Sequence, residues 1–170
     1  MLERLDRVSV ATSATTRAMR AGETDGVEYR FLTREDFAAG IDRGGFLEHA
    51  EYAGNLYGTL RSEVARRLSD GDSVILEIEL NGARMVRASA PDALAVFIAP
   101  PSFEELESRL RGRGTDAAED IDRRLSVART ELAAREEFDV VIVNDDVERA
   151  TKTLVQVMED RTSAMVKADT

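Results

Sequence analysis

The chain has 170 residues, 43% of them apolar, which is enough for one domain with a real core or a domain carrying a small insert. Its net charge of −10 and pI near 4.7 argue against nonspecific binding to nucleic acid, so a bound anion must be held by local arginines against an unfavourable overall field. The absence of cysteine excludes disulfides and thiol chemistry, and the single histidine, His49, excludes a histidine-rich metal site.

Met1 to Arg7 has Leu2 and Leu5 at helical spacing and reads as the tail of a helix. Val8 to Val10 is a short apolar strand. It leads into S-A-T-T-R-A-M-R-A-G-E, Ser13 to Glu23. Glu28 to Leu32 alternates like a strand. Thr33 opens a helix with an acid three residues later, and Phe37 and Ile41 lie on one face of it. Gly44-Gly45 ends that helix. Phe46 to Ala53 reads as a strand, Gly54-Asn55 as a turn, and Leu56 to Thr59 as the returning strand. Two or three short strands with one helix make a small α+β insertion.

Ser62 to Asp70 is expected to be helical, with Gly71 as its stop. Ser73 to Leu80 is expected as a strand, with Glu77 and Glu79 on one face, and Ala83 to Ala88 as a short helix. Leu94 to Ala99 and Val140 to Val143 read as buried parallel strands. Ser102 with Glu105 is a capping box opening a helix to about Leu110. Arg111 to Asp116 is a glycine-punctuated basic hinge. Ile121, Leu125, Ala128 and Leu132 mark one face of a long helix, and Val147, Leu154 and Met158 lie on a final one whose last residues are expected to fray. Outside the insertion, strands alternate with helices, the pattern of a three-layer α/β domain with a parallel sheet. No apolar run approaches the roughly 18 residues of a membrane span. The N-terminus lacks the basic-then-apolar pattern of a signal peptide, so a cytoplasmic protein is expected.

The chemistry concentrates in Ser13 to Glu23. Hydroxyls at Ser13, Thr15 and Thr16 donate to anionic oxygens, and a guanidinium at Arg17 or Arg20 binds two such oxygens at once. At the end of a strand this makes a phosphate pocket. Two arginines in a polar loop are also compatible with plain solvation.

This stretch resembles the GMP-binding loop of guanylate kinases. The later blocks F-L-E-H-A-E, G-N-L-Y-G-T, I-E-L-N-G-A-R, A-P-P-S, L-R-G-R-G-T and I-V-N-D-D follow that family in order, from about Leu5 to Met158. The resemblance implies a P-loop-kinase-like α/β fold in a single domain, with a GMP-binding insertion at about 13–61 and a helical lid at about 102–132. It implies transfer of the ATP γ-phosphate to GMP or dGMP, with Mg2+ arriving with ATP. Ser13, Arg17 and Arg20, helped by Tyr29 and Tyr57, would hold the GMP phosphate, Glu48 and Thr59 would read the base, and Glu23 belongs to the same GMP site. Guanine offers N1–H and a 2-amino group to a carboxylate, and adenine leaves that carboxylate unpaired. His49 stands where the family often has Trp and is taken as a half-buried structural residue.

Glu77 and Glu79 would orient magnesium or substrate, although the family usually has Asp at the position of Glu79. Arg109, Arg113 and Arg124 match lid arginines that neutralise charge in the transition state; helix-surface ion pairing is the plainer role for each. Asn144 matches an adenine-side contact, or is a helix cap. No metal-ligand set is read from the sequence itself.

Residues 1–170 hold no G-x-x-x-x-G-K-[ST] loop and no G-K pair. The resemblance places that loop before Met1, with the first strand of the fold absent as well. Such a chain is expected to be weakened and a poor kinase. It is either an enzyme whose upstream residues are omitted or a loop-less GMP-binding or protein-interaction module.

Overall fold

The computed structural model describes residues 7–52, 54–112 and 118–168. The helix tail expected at the N-terminus (Arg7 apart), Arg113, most of the basic hinge and the last two residues lie outside that range. The chain divides into two compact units, Leu2–Ala93 and Leu94–Thr170. Among the described residues no helix is long and apolar enough to cross a membrane.

The first unit contains β1 (Val8–Val10), β2 (Ala14–Thr15), β3 (Arg30–Phe31), α1 (Arg34–Asp42), β4 (Phe46–Tyr52), β5 (Asn55–Leu60), α2 (Arg61–Ser69), β6 (Ser73–Ile75) and α3 (Leu80–Ser89). β1 and β6 pair in parallel, with Val8 opposite Ser73. The other strands form a sheet in the order β3-β2-β5-β4, in which β2 and β3 run parallel while β5 is antiparallel to both neighbours. The insertion read from the sequence is thus built on four strands, one of them supplied by the start of the phosphate stretch itself.

The helix signals are used as read. Thr33 caps α1 by accepting the Asp36 N–H at 3.0 Å, and Asp36 accepts the Thr33 hydroxyl at 2.9 Å. Gly44 ends the helix at a φ of 65°, where an L side chain is strained. α1 sits close on β4: a Cβ on Gly40 would stand 2.7 Å from Phe46 Cε2. That approach lets the Phe37 and Phe46 rings stack with centroids 4.3 Å apart, and with Ala14 they form the buried centre of this unit.

One strand departs from strict alternation. Phe46 lies opposite Leu60, but Glu48 lies opposite Thr59, so Leu47 is an extra residue in β4. Partners across a pair share a face, and Leu60 and Thr59 face opposite ways along β5. Phe46 therefore goes to the core with Leu56 and Leu60, while Glu48, Ala50 and Tyr52 go to the other face with Tyr57 and Thr59.

Two expectations are corrected here. The strand expected from Ser73 to Leu80 stops at Ile75, and the helix expected at Ala83 begins at Leu80. Glu79 is the cause: its Oε1 accepts the Gly82 N–H at 2.9 Å and its Oε2 the Asn81 N–H at 2.8 Å. This bidentate cap stabilises the helix over the strand favoured by the apolar alternation, so Glu77 and Glu79 do not share a strand face. The strand expected over Glu28 to Leu32 shrinks to Arg30–Phe31, with Tyr29 in an isolated bridge to Asp25.

The second unit contains β7 (Val96–Ala99), α4 (Phe103–Gly112), α5 (Ala118–Ala133), a short 3-10 turn at Arg135–Glu137, β8 (Val140–Val143) and α6 (Val147–Ala168). β7 and β8 are parallel, Val96 opposite Val140 through Ala99 opposite Val143. Their burial is partial, unlike the fully buried strands expected: Ala99 and Ile142 are buried, whereas Ile98, Val141 and Val143 are exposed. Ser102 Oγ caps α4 from the Glu105 N–H at 3.2 Å, as its motif indicates. Ile121 and Leu125 bury one face of α5. The Arg129 guanidinium lies 4.0 Å from the centroid of the Phe103 ring, and Arg111 reaches both Glu107 (2.8 Å) and Asp122 (3.4 Å).

Truncating the fully buried Phe37 removes half of the stacked ring pair. Phe37→Ala is expected to destabilise the chain by about 3–5 kcal/mol in chemical denaturation, and a loss below about 1 kcal/mol would contradict this account of the core.

Candidate functional site

A cavity of about 230 Å³ in the first unit is lined by Ser13, Tyr29, Glu48, Ala50, Tyr52, Tyr57, Gly58, Glu77, Ile78 and Glu79. A second hollow of about 220 Å³ shares Ser13, Tyr29 and Glu77 with it. Six of the residues singled out from the sequence therefore meet in one place.

Its deepest feature is Glu48, only 5% exposed. Burial pushes its carboxyl above the ordinary range, and nearby Glu79 adds to that. The Thr59 hydroxyl and backbone N–H, together with His49, oppose it. Thr59 is itself 1% exposed, so the pair is dry, with Glu48 in the cavity lining. His49 lies opposite Gly58 on the core side of β4, its ring against Phe46 at 6.3 Å, consistent with a packing role.

A cation stands against Tyr29 of the lining. Arg17 makes a two-pronged pair with Glu23, Nη2 to Oε1 at 2.7 Å and Nη1 to Oε2 at 3.1 Å. The Arg17 guanidinium lies 5.3 Å from the Tyr29 ring centroid and 5.6 Å from that of Phe31, and Glu23 first, with Tyr57 in a smaller part, favours its charged form. Glu23 also accepts the Arg20 N–H at 2.7 Å. These bonds, Arg17's first, hold the Glu23 carboxyl below the ordinary range. Glu23 is thus fully engaged in fixing Arg17 and the Arg20 backbone, a different position from a direct ligand contact. The Arg20 side chain is exposed.

Of the three hydroxyls expected to meet an anion, two have structural work. Thr15 Oγ1 donates to the Leu56 carbonyl at 3.0 Å and accepts the Arg17 N–H at 3.1 Å, and Thr16 Oγ1 accepts the Leu56 N–H at 2.9 Å. Ser13 remains at the cavity wall. Sequence reasoning missed Phe31 beneath Arg17, and Ala50 and Ile78 in the lining. The strand alternation of Ala50 with Glu48 was the available signal for one of them. Glu77 is exposed at the cavity rim, whereas both oxygens of Glu79 are taken by its cap.

In the second unit, Arg109 pairs with Glu105 at 2.8 Å and donates to the Asn144 carbonyl at 3.1 Å. Asn144 is not the cap of α6; Asp146 is, accepting the Arg149 N–H at 2.9 Å. Arg124 is exposed on α5, and Arg113 lies outside the described residues. Among the described residues no group of three or more His, Cys, Asp or Glu could hold a metal ion.

The Guanylate kinase family model matches residues 2–161. A guanylate kinase of Frankia casuarinae is 56% identical over 156 residues, covering 92% of this chain and 85% of the relative. One of Synechococcus sp. strain CC9311 is 54% identical over 156 residues, covering 92% and 82%. The crystal structure of guanylate kinase from Anaplasma phagocytophilum aligns with a TM-score of 0.73 at 33% identity, over 91% of this chain and 76% of that one.

The buried carboxyl sets a pH dependence with a definite sign. A carboxyl raised above its unfolded value binds its proton more tightly in the fold. The stability it contributes is full below the unfolded value and is lost as pH rises through the folded one. Glu48→Gln is expected to abolish that loss, so its stability relative to wild type, read by denaturation at stepped pH, should climb as pH rises through this window and then level off.

Proposed function

The chain belongs to the guanylate kinase family, and from that premise we propose that it transfers the γ-phosphoryl group of ATP to the phosphate of GMP, giving ADP and GDP. The observation that carries this reading is the pairing of two groups about one cavity: the desolvated Glu48 carboxylate in its lining, and Arg17, fixed by Glu23, against the ring of the lining residue Tyr29. Those two groups suit a guanine and a phosphate.

Glu48 accepts from N1–H and the 2-amino group. Its low exposure makes the unpaired state costly, so adenine is rejected by the desolvated carboxylate it leaves behind. The Thr59 hydroxyl has one proton, which turns from Glu48 to O6 once the two donors of the base have satisfied the carboxylate. Arg17 needs no reorganisation to meet a phosphate, because Glu23 and two aromatic rings already hold it. Ser13, Tyr29 and Tyr57 supply hydroxyls there, and Arg20 a second guanidinium. Glu23 acts through Arg17, and Glu79 through the start of α3.

We assign residues 13–61 as the GMP-binding part and 102–132 as the lid. Arg109, Arg113 and Arg124 serve as the cations that offset charge on the transferring group, with Asn144 on the adenine side. Phosphoryl transfer depends mainly on positioning and electrostatics, so mobile guanidinium groups are the chemistry required. Mg2+ would enter with ATP. It keeps several waters and takes one or two protein carboxylates beside the phosphates, which fits Glu77 at the rim better than the doubly engaged Glu79. When bound, it neutralises phosphate charge. The corresponding cellular location is the cytoplasm, and dGMP is a second substrate of the same base.

Production of ADP and GDP from ATP and GMP by the protein purified from the cells that make it tests the reaction directly. Calorimetric titration of residues 1–170 with GMP tests the site. Arg17→Ala is expected to weaken GMP binding by roughly tenfold to a hundredfold, since it removes charge-assisted hydrogen bonds. Unchanged affinity would refute the phosphate role.

A further inference from the structure

Gly82 is the third residue of α3, where glycine is a poor choice. It costs helix stability relative to alanine, and its φ is not in the left-handed range that would require it. Space, not backbone conformation, is what this position uses. A Cβ built on Gly82 would stand 3.0 Å from Glu48 Oε2, 3.5 Å from Glu48 Cδ and 3.3 Å from Ile78 Cβ. The Ile78 contact is to an atom next to the main chain, which has little freedom to retreat. The Glu48 contact is to the end of a side chain, so the carboxylate is what would have to move.

Glu48 is thus held from two sides. Thr59 bonds it from β5, and the bare Cα of Gly82 lets it lie against the first turn of α3. The same glycine donates its N–H to Glu79 Oε1 at 2.9 Å, so the turn that bounds the Glu48 carboxylate is itself pinned by the Glu79 cap.

We propose that Gly82 is a positioning residue for base specificity: its missing side chain sets where the Glu48 carboxylate stands, and so sets the preference for guanine over bases lacking the 2-amino group. This rests on the reading of Glu48 as the guanine acceptor. A displacement of a few tenths of an ångström costs the paired acceptor geometry while leaving the phosphate end untouched. The penalty therefore falls on discrimination between bases and spares binding of the phosphate.

Two measurements on residues 1–170 test it. The first needs no nucleotide: melting temperatures of wild type, Gly82→Ala, Glu48→Ala and the double variant. With Glu48 present, Gly82→Ala is expected to lower the melting temperature or leave it unchanged. With Glu48→Ala, the same substitution should raise it by about 2–5 °C through helix propensity, the residual Ile78 contact being common to both backgrounds. Equal shifts in the two backgrounds would overturn the contact.

The second is calorimetric titration with GMP and inosine monophosphate, which lacks the 2-amino group. Gly82→Ala is expected to cut the GMP-to-inosine-monophosphate affinity ratio about tenfold, with inosine monophosphate binding changed less than GMP binding. A wild-type ratio in Gly82→Ala, alongside a collapsed ratio in Glu48→Ala, would overturn the positioning role alone. A wild-type ratio in Glu48→Ala would overturn the reading of Glu48 itself, and with it the specificity role of Gly82.

Discussion

A carboxylate taken out of water must be repaid by bonds or it will not stay charged. Glu48 is that group here, and much of the first unit is arranged around it. The β4–β5 pairing sets Thr59 opposite, so that a hydroxyl and an N–H are aimed at it. α3 begins at Leu80, not three residues later, so its first turn closes the cavity beside Glu48. The bonding from Thr59 does not cancel the cost of burial, because the carboxyl still sits above its ordinary range. A group that donates two more hydrogen bonds to this carboxylate would lower that residual cost.

The cationic group follows a different economy. Arg17 is not free: Glu23 neutralises it and the Tyr29 and Phe31 rings flank it. An arginine held in this way exerts less long-range attraction than a bare one, but it meets its anion without losing rotamer freedom. In a chain of net charge −10, the field does not steer phosphates in. Any attraction this corner has for an anion comes from preorganised short-range contacts.

Much of this was legible from residues alone. Helix caps at Thr33 and Ser102 and the glycine stop at Gly44 are local signals, and local physics decided them. The residues of the cavity were named because their order matched a family, not because periodicity located a pocket. What failed were the places where a side chain overrode a pattern. V-I-L-E-I-E-L alternates convincingly as a strand, but Glu79 captures two N–H groups and starts a helix instead. Thr15 and Thr16 read as anion donors, but the backbone of Leu56 claims both hydroxyls. Gly82 left a signal that was not used, a glycine inside a run of good helix formers.

The extra residue in β4 has a consequence for how this protein can vary. By strict alternation Phe46 and Glu48 would share one face, yet one lies among hydrocarbon and the other lines the cavity. Leu47 resolves the conflict by turning the strand over between them. What this point must keep is the irregular backbone, not a particular side chain. If the bulge were straightened with Leu47 in place, the aromatic ring and the carboxylate would compete for the same side of the sheet. Loss of Leu47 itself would make the two neighbours and leave them on opposite faces, so a shorter strand is tolerated here where a longer regular one is not.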